Sequence, residues 1–462
     1  PSDAPPPSEA ADSDIAPVEG AAPVGSAEPP IRTAPVEPVA AVEPVDAEEE
    51  EEEALEISLE AGEGLLVSTP DHNFEINIRS RGMLLLQIEV PEELNADGSH
   101  PDPIIDLDVR RARVTIAGRI FDRHIRYRLQ LAIAPRDMQE TTFADAFGRG
   151  FPTLTGTPTR SPLLDWYVEL QHFREIHIRV GQYIVPYNRH RVISSSSLQL
   201  VDRSLASGEF NLDRDLGIQL YSPDVGGMGW LRYYAGLFSN EGRDGLFGGD
   251  PGFLYTARVE VLPLGLFDDY AEGDTRRSTT PRLAIGAAYA FADDSHLAQI
   301  TIGQAAPDAG VFDYHNAEVD FVFMYEGLSI SSELMWREGW RRPPPLPMGA
   351  PDPCALDPLS MSIPRGCRPR NGVGWYAGIG YMLPVIELEV AARYGWVRPI
   401  GGSGSGTGER SELGFGANYY FHRHAFKIQL DYFRLWDDAD FSDGAAFGVG
   451  EDRVRVMFQA SL

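Results

Sequence analysis

The chain has 462 residues and a formal charge of −30, from 39 basic and 69 acidic residues. No stretch approaches the roughly 20 consecutive apolar residues of a spanning helix, because the best run, Met83 to Leu86, is cut by Gln87 and Glu89. The acidity, with arginines that alternate with apolar residues instead of clustering, argues against a nucleic-acid partner, and two cysteines are too few for a disulfide-dense scaffold or a zinc site.

Residues 1–70 hold 18 of the acidic residues and one base, Arg32, and include the run Glu48 to Glu53. A segment so rich in Pro, Ala and Glu has too little apolar surface to offset chain entropy, so it is expected to be a disordered acidic tail. Its start at Pro1, without a leader, is expected of a processed form. Residues 71–462 are expected to form a separate body.

From Phe74 onward apolar residues recur with period two, the signature of strands with one apolar face. Sixteen such segments follow in order: 73–90, 106–120, 123–135, 163–173, 175–185, 213–222, 229–238, 253–262, 281–292, 315–326, 328–337, 373–383, 386–397, 410–421, 424–436 and 451–462. Parity assigns the polar face. The first segment contributes Arg79, the second Arg111, Arg113 and Arg119, the third Arg126 and Arg128, and the fifth Arg179. Farther along, the tenth, eleventh and thirteenth direct Glu318, Asp320, Glu333, Glu387 and Glu389 to the same side. One wall is therefore expected to be basic and the opposite wall acidic, with a transverse field between them, the alternative being that these charges pair with one another and merely solvate the interior.

Short and long connections alternate. Phe121-Asp122, Arg174, 223–228, Gly327, 384–385 and 422–423 are short, whereas 186–212, 293–314, 338–372 and 437–450 are long, and 263–280 breaks the rule. Long connections at one end, strands of 10–13 residues and aromatics near strand ends predict an all-β fold: a 16-stranded antiparallel transmembrane β-barrel, closed because an open edge in lipid leaves backbone groups unpaired. Cys354 and Cys367 share the longest outward connection and are expected to form a disulfide in an oxidising envelope. No metal site or cofactor is expected: Asp437, Asp438, Asp440 and Asp443 miss the spacing of a helix-loop-helix calcium site, and His422 and His424 read as interfacial polarity. Ser194 to Ser197 lie near His190 and Asp202 in sequence, but without a nucleophile elbow they read as a small hydrated lining instead of an enzyme's triad.

Four stretches taken together carry a resemblance. They are VRRARVTIAG from Val109 to Gly118, VGQYIVPY from Val180 to Tyr187, LVDRS from Leu200 to Ser204, and RDLGIQ from Arg214 to Gln219 with YAGLFSN from Tyr234 to Asn240 after it. In this order and spacing the chain resembles the phosphate-selective porin family, trimeric channels of the Gram-negative outer membrane. The resemblance implies a third long loop, here 186–212, folded inward to narrow the barrel. It also places Arg191 and Ser196 on two loop positions, and Arg126 on a strand position, where phosphate-specific members carry anion-gripping lysines. Ser196 and the single lysine of the chain, Lys427, are departures, and so is the final residue Leu462, where such barrels usually end in an aromatic.

The expected function is passive diffusion of small hydrophilic solutes with a local preference for anions. Arg79, Arg111, Arg113, Arg119, Arg126, Arg128, Arg179, Arg191 and Ser196 form the expected path, Arg191 mattering most and Arg126 second. Expected partners are small anions, outer-membrane lipid, two further copies in a homotrimer and a periplasmic partner for the tail, with both termini periplasmic. The alternative is a barrel that acts as an anchor or assembly partner through that tail. A third reading, a membrane-embedded hydrolase, would need a catalytic constellation that the sequence does not display.

Overall fold

The computed structural model describes residues 55–92, 98–138, 161–245, 252–303, 305–345, 352–355, 366–401, 404–437 and 450–462. Two short strands come first, β1 (Glu56–Glu60) and β2 (Gly64–Ser68). Sixteen longer ones follow: β3 (Glu75–Pro91), β4 (Ile104–Ile120), β5 (Asp122–Ala132), β6 (Leu163–Phe173), β7 (Ile176–Ile184), β8 (Arg214–Ser222), β9 (Leu231–Phe238) and β10 (Leu254–Val261). The rest are β11 (Arg282–Ser295), β12 (Val311–Tyr325), β13 (Leu328–Arg342), β14 (Gly372–Met382), β15 (Leu388–Pro399), β16 (Arg410–His422), β17 (Phe426–Trp436) and β18 (Gly450–Ser461). Each of the sixteen expected segments is one of these strands.

Neighbours from β3 to β18 pair antiparallel in chain order, and β18 returns to pair with β3, from Glu451 opposite Pro91 to Ser461 opposite Arg81. The sheet is a closed 16-stranded barrel. Leu462 extends the seam, its amide and carbonyl exchanging 2.9 Å hydrogen bonds with Ser80. No described helix is long and apolar enough to cross a membrane.

Burial is inverted relative to a water-soluble sheet. On β12, Val319 is 53% exposed on the outer face, whereas its neighbour Asp320 is 1% exposed on the inner face. Leu334, Val390, Phe415, Leu430 and Val456 continue the exposed apolar band around the wall. Trp375, Tyr394, Trp396 and Trp436 contact one another at the long-loop end, and Tyr419, Phe421, Phe426 and Phe458 do so at the short-turn end. An apolar outer band between two aromatic girdles matches a barrel in lipid.

Two strands lie within the segment expected to be tail. Residues 56–68, expected within a tail that runs to 70, form the β1–β2 hairpin, because Ile57, Leu59, Leu65 and Val67 keep a period-two alternation and β2 pairs with Glu75–Ile78 of β3. Residues 1–54 of the expected tail lie outside the described residues, as do Asp438, Asp440 and Asp443. The hairpin occupies the same edge of β3 that β18 uses farther along, so its apolar face continues the outer face of the wall.

Candidate functional site

Three segments carry the candidate site: the strand wall β3–β8, the connection 185–213 between β7 and β8, and the connection 262–281 between β10 and β11. The 185–213 segment contains α1 (Arg189–Val192), a 3₁₀ turn at Ser195–Ser197 and α2 (Leu205–Phe210), whose N-terminus is capped by Ser204 Oγ accepting from the Ser207 amide at 3.1 Å. Its contacts fall on lumen-side residues of widely separated strands. Arg81 of β3 donates to Ser194 Oγ at 2.9 Å, the Val201 amide donates to Asp431 of β17 at 2.9 Å, and Gln199 donates to Glu389 of β15 at 2.6 Å. Phe210 and Ala206 pack on Met335, Tyr376 and Val397.

Asp202 is the main electrostatic anchor. It accepts from Arg110 at 2.7 Å, Arg111 at 3.2 Å and Arg455 at 2.9 Å. Its setting between loop and wall would by itself raise the carboxyl, but Arg110, Arg455 and Arg111 outweigh this and hold it well below the usual carboxylate range. Arg110 escapes the parity reading because the β3–β4 register slips at Met83/Leu84, placing an extra residue opposite and turning Arg110 and Arg111 to the same side. Arg203, also missed, is paired with no carboxylate among the described residues. It donates to the carbonyls of His190, at 2.6 Å, and Ile193, and burial together with Arg191, Arg111 and Arg113 pushes its guanidinium down.

The expected basic column is on the lumen side but largely paired. Arg113 bonds Asp137 at 2.7 Å, Arg119 lies 3.3 Å from Glu75, Arg128 3.6 Å from Asp165, and Arg179 bonds Glu169 at 2.7 Å beneath the rings of Tyr167, Tyr183 and Tyr221. Arg191 bonds Asp213 of its own loop. Ser196 bonds Ser194 Oγ at 2.8 Å, and its carbonyl accepts from Gln459 at 3.2 Å. Arg79 donates to Asn77 at 2.6 Å, and neither Arg79 nor Arg126 has an ion-pair partner among the described residues. Both line an open cavity of about 680 Å³ together with Arg119, Arg128, Arg179 and His177, against only three carboxylates, Glu63, Glu75 and Glu169.

The acidic side differs from expectation. Glu318, Asp320, Glu333 and Glu389 face inward but are each at most 2% exposed, because the two connections cover them. Arg258 bonds Glu318 and Asp320, Arg189 of the loop bonds Asp320, Glu260 and Asp269, and Arg232 bonds Asp269 at 2.7 Å. Glu333 accepts from the His190 amide and from Asn188, and Glu389 from Gln199, Asn418 and Tyr420. Glu387 is exposed in the turn before β15, where the strand has not begun. These carboxylates hold the loop to the wall instead of forming a free acidic surface, so the expected field lacks its negative face. Sequence separation hid this, since the partners Arg189 and Asp320 lie on different elements. His190 meets Ser204 at 3.3 Å and Glu272 at 3.1 Å instead of the serine run, but His190 is 0% and Ser204 1% exposed, so the trio packs the loop. Cys354 and Cys367 are joined by a disulfide, their Cα atoms 5.5 Å apart.

With this geometry in place, the chain can be set beside known proteins. The family described as phosphate-selective porin O and P matches residues 92–459. OmpF of Salmonella typhi, solved as a complex with daunomycin, shares 11% identity at a TM-score of 0.50, over 85% of this chain and 98% of that one. A loop L8 deletion mutant of OmpT, an outer membrane protein of Vibrio cholerae, gives 11% and 0.46 over 84% and 99%. The outer membrane channel DcaP of Acinetobacter baumannii gives 11% and 0.45 over 84% and 97%. At such identity the OmpF likeness speaks for the fold alone. No curated protein shows significant similarity in sequence.

Proposed function

We propose, from the premise that the chain belongs to the phosphate-selective porin O and P family, that this outer-membrane channel passes small hydrophilic solutes by passive diffusion with a local preference for anions of the phosphate class. The observation that carries the preference is the cavity on the β3–β8 wall, where five arginines face three glutamates and Arg79 and Arg126 have no ion-pair partner among the described residues. A guanidinium group can hold an oxyanion through two parallel N–H donors. In this reading the 185–213 segment is the constriction, and it carries the half-buried Arg203, which pairs with no carboxylate among the described residues. Attraction must be weak at each point for the solute to leave, and a series of partly neutralised arginines meets that need better than one deep site. The reading further places both termini in the periplasm, with the short turns, and the chain in a trimer.

The test is the reversal potential of the purified protein in a planar bilayer under a potassium chloride gradient. Anion selectivity, with chloride current reduced by added phosphate, is the expected result. Cation selectivity of the unmodified protein would overturn the anion reading while leaving the channel intact.

A further inference from the structure

We propose that Asp122, His124 and His172 form a binding site for a divalent transition-metal ion of the zinc class at the short-turn rim of the barrel. Asp122 and His124 open β5 just after the turn at Phe121, and His172 stands at the end of β6 beside the turn into β7. Strand pairing brings together residues about 50 positions apart. His124 Nδ1 lies 2.6 Å from Asp122 Oδ1 and His172 Nε2 lies 3.6 Å from Asp122 Oδ2, the imidazole centroids are 5.2 Å apart, and the three candidate ligand atoms all fall within 4.8 Å of one another. Tetrahedral zinc with bonds of about 2.0–2.1 Å needs donors roughly 3.3 Å apart, and with one ligand atom from each residue the three atoms already lie within 4.8 Å of one another. Small side-chain rotations are enough to admit the ion.

Two further features point to a metal. The His124 amide donates to Asp122 Oδ1 at 2.8 Å, which fixes the carboxylate's orientation in the way that outer contacts orient metal ligands. No arginine or lysine forms an ion pair with Asp122 among the described residues, so a cation meets an unneutralised carboxylate. Two imidazoles and one carboxylate favour zinc, copper or nickel over calcium or magnesium, which take oxygen ligands. The side chains are 37–45% exposed, leaving room for water in the fourth position and making the site exchangeable. Two other clusters fail the same reading. Asp293, Asp294 and Asp313 are all engaged by Arg342, and the group of Asp308, Asp352 and Cys354 has its sulfur in the disulfide.

The experiment titrates zinc chloride into the full chain in detergent, after removal of metals, by calorimetry, with cobalt absorption as a second readout. Wild type is expected to bind one ion per chain at this site, and His124→Gln/His172→Gln to lose at least tenfold in affinity together with the cobalt spectrum, while His100→Gln binds as wild type. His172→Gln alone, at an exposed position, is expected to show the same direction of loss, which guards against a folding defect in the double variant. Equal affinity and stoichiometry in wild type and double variant, or no binding by wild type, would overturn the proposal.

Discussion

Arg126→Glu is the sharpest probe of the proposed selectivity, because Arg126 is exposed to the cavity and has no ion-pair partner among the described residues. The substitution alters the local charge by two units. For an ion passing about 6 Å from the side chain in water, one unit charge contributes roughly 0.7 kcal/mol by Coulomb's law, and screening over a Debye length of about 8 Å reduces this to about 0.3. Two units then cost an anion about 0.65 kcal/mol and favour a cation by as much, so the anion-to-cation permeability ratio should fall by about tenfold. The assay is the reversal potential under a salt gradient, repeated at high ionic strength, where the difference from wild type should shrink. A ratio within about twofold of wild type at low salt would refute the assignment of Arg126 to the ion path. Arg191, expected to rank first, moves behind it. Its charge is spent on Asp213 and it does not line the cavity, so Arg191→Gln should change selectivity less.

Other expectations follow from the same contacts. Asp202→Asn leaves Arg110, Arg111 and Arg455 without their shared carboxylate, and should cost on the order of 2–3 kcal/mol, less than a fully buried pair because Asp202 is about a quarter exposed; noisier single-channel current is the measurement. Because this carboxyl is held below its unfolded value, its stabilisation is complete above about pH 4 and is lost only as pH falls further, so current noise should be flat from pH 7 to 4 and rise below. A free-thiol assay on unreduced, denatured protein should find no reactive cysteine. Limited proteolysis should remove the acidic segment before residue 55 while sparing the β1–β2 hairpin, with conductance unchanged; loss of the channel on trimming would show that the acidic segment is part of it.

The barrel was legible because every spanning strand writes its two faces into alternate residues, as Val319, Phe321 and Phe323 do against Glu318 and Asp320. Arg126 and Arg179 line one cavity and Arg111 reaches Asp202 of the 185–213 segment, the face that parity assigns them. Parity failed at Arg110, where a bulge inserts a residue and local alternation carries no trace of the slip. The burial of the acidic residues was not legible, because their fate depends on Arg189, Arg258 and Gln199, which a connection or a distant strand brings against them. The β1–β2 hairpin was masked by its glutamates, although Ile57 and Leu59 keep the alternation. His124 and His172 meet only through strand pairing, and no motif spacing announces them.

The seam between β3 and β18 has a consequence for assembly. Every other barrel pairing joins strands adjacent in sequence and can form hairpin by hairpin, whereas this one joins the two ends of the sheet and pays the largest loop-closure entropy. Until it forms, two raw edges face lipid. The β1–β2 hairpin holds Glu75–Ile78 on the same edge of β3, so β18 cannot slide past Ser80 as it docks. The hairpin is in that sense a doorstop for ring closure: it fixes where the last strand halts, and Leu462 can then complete the seam through backbone bonds alone.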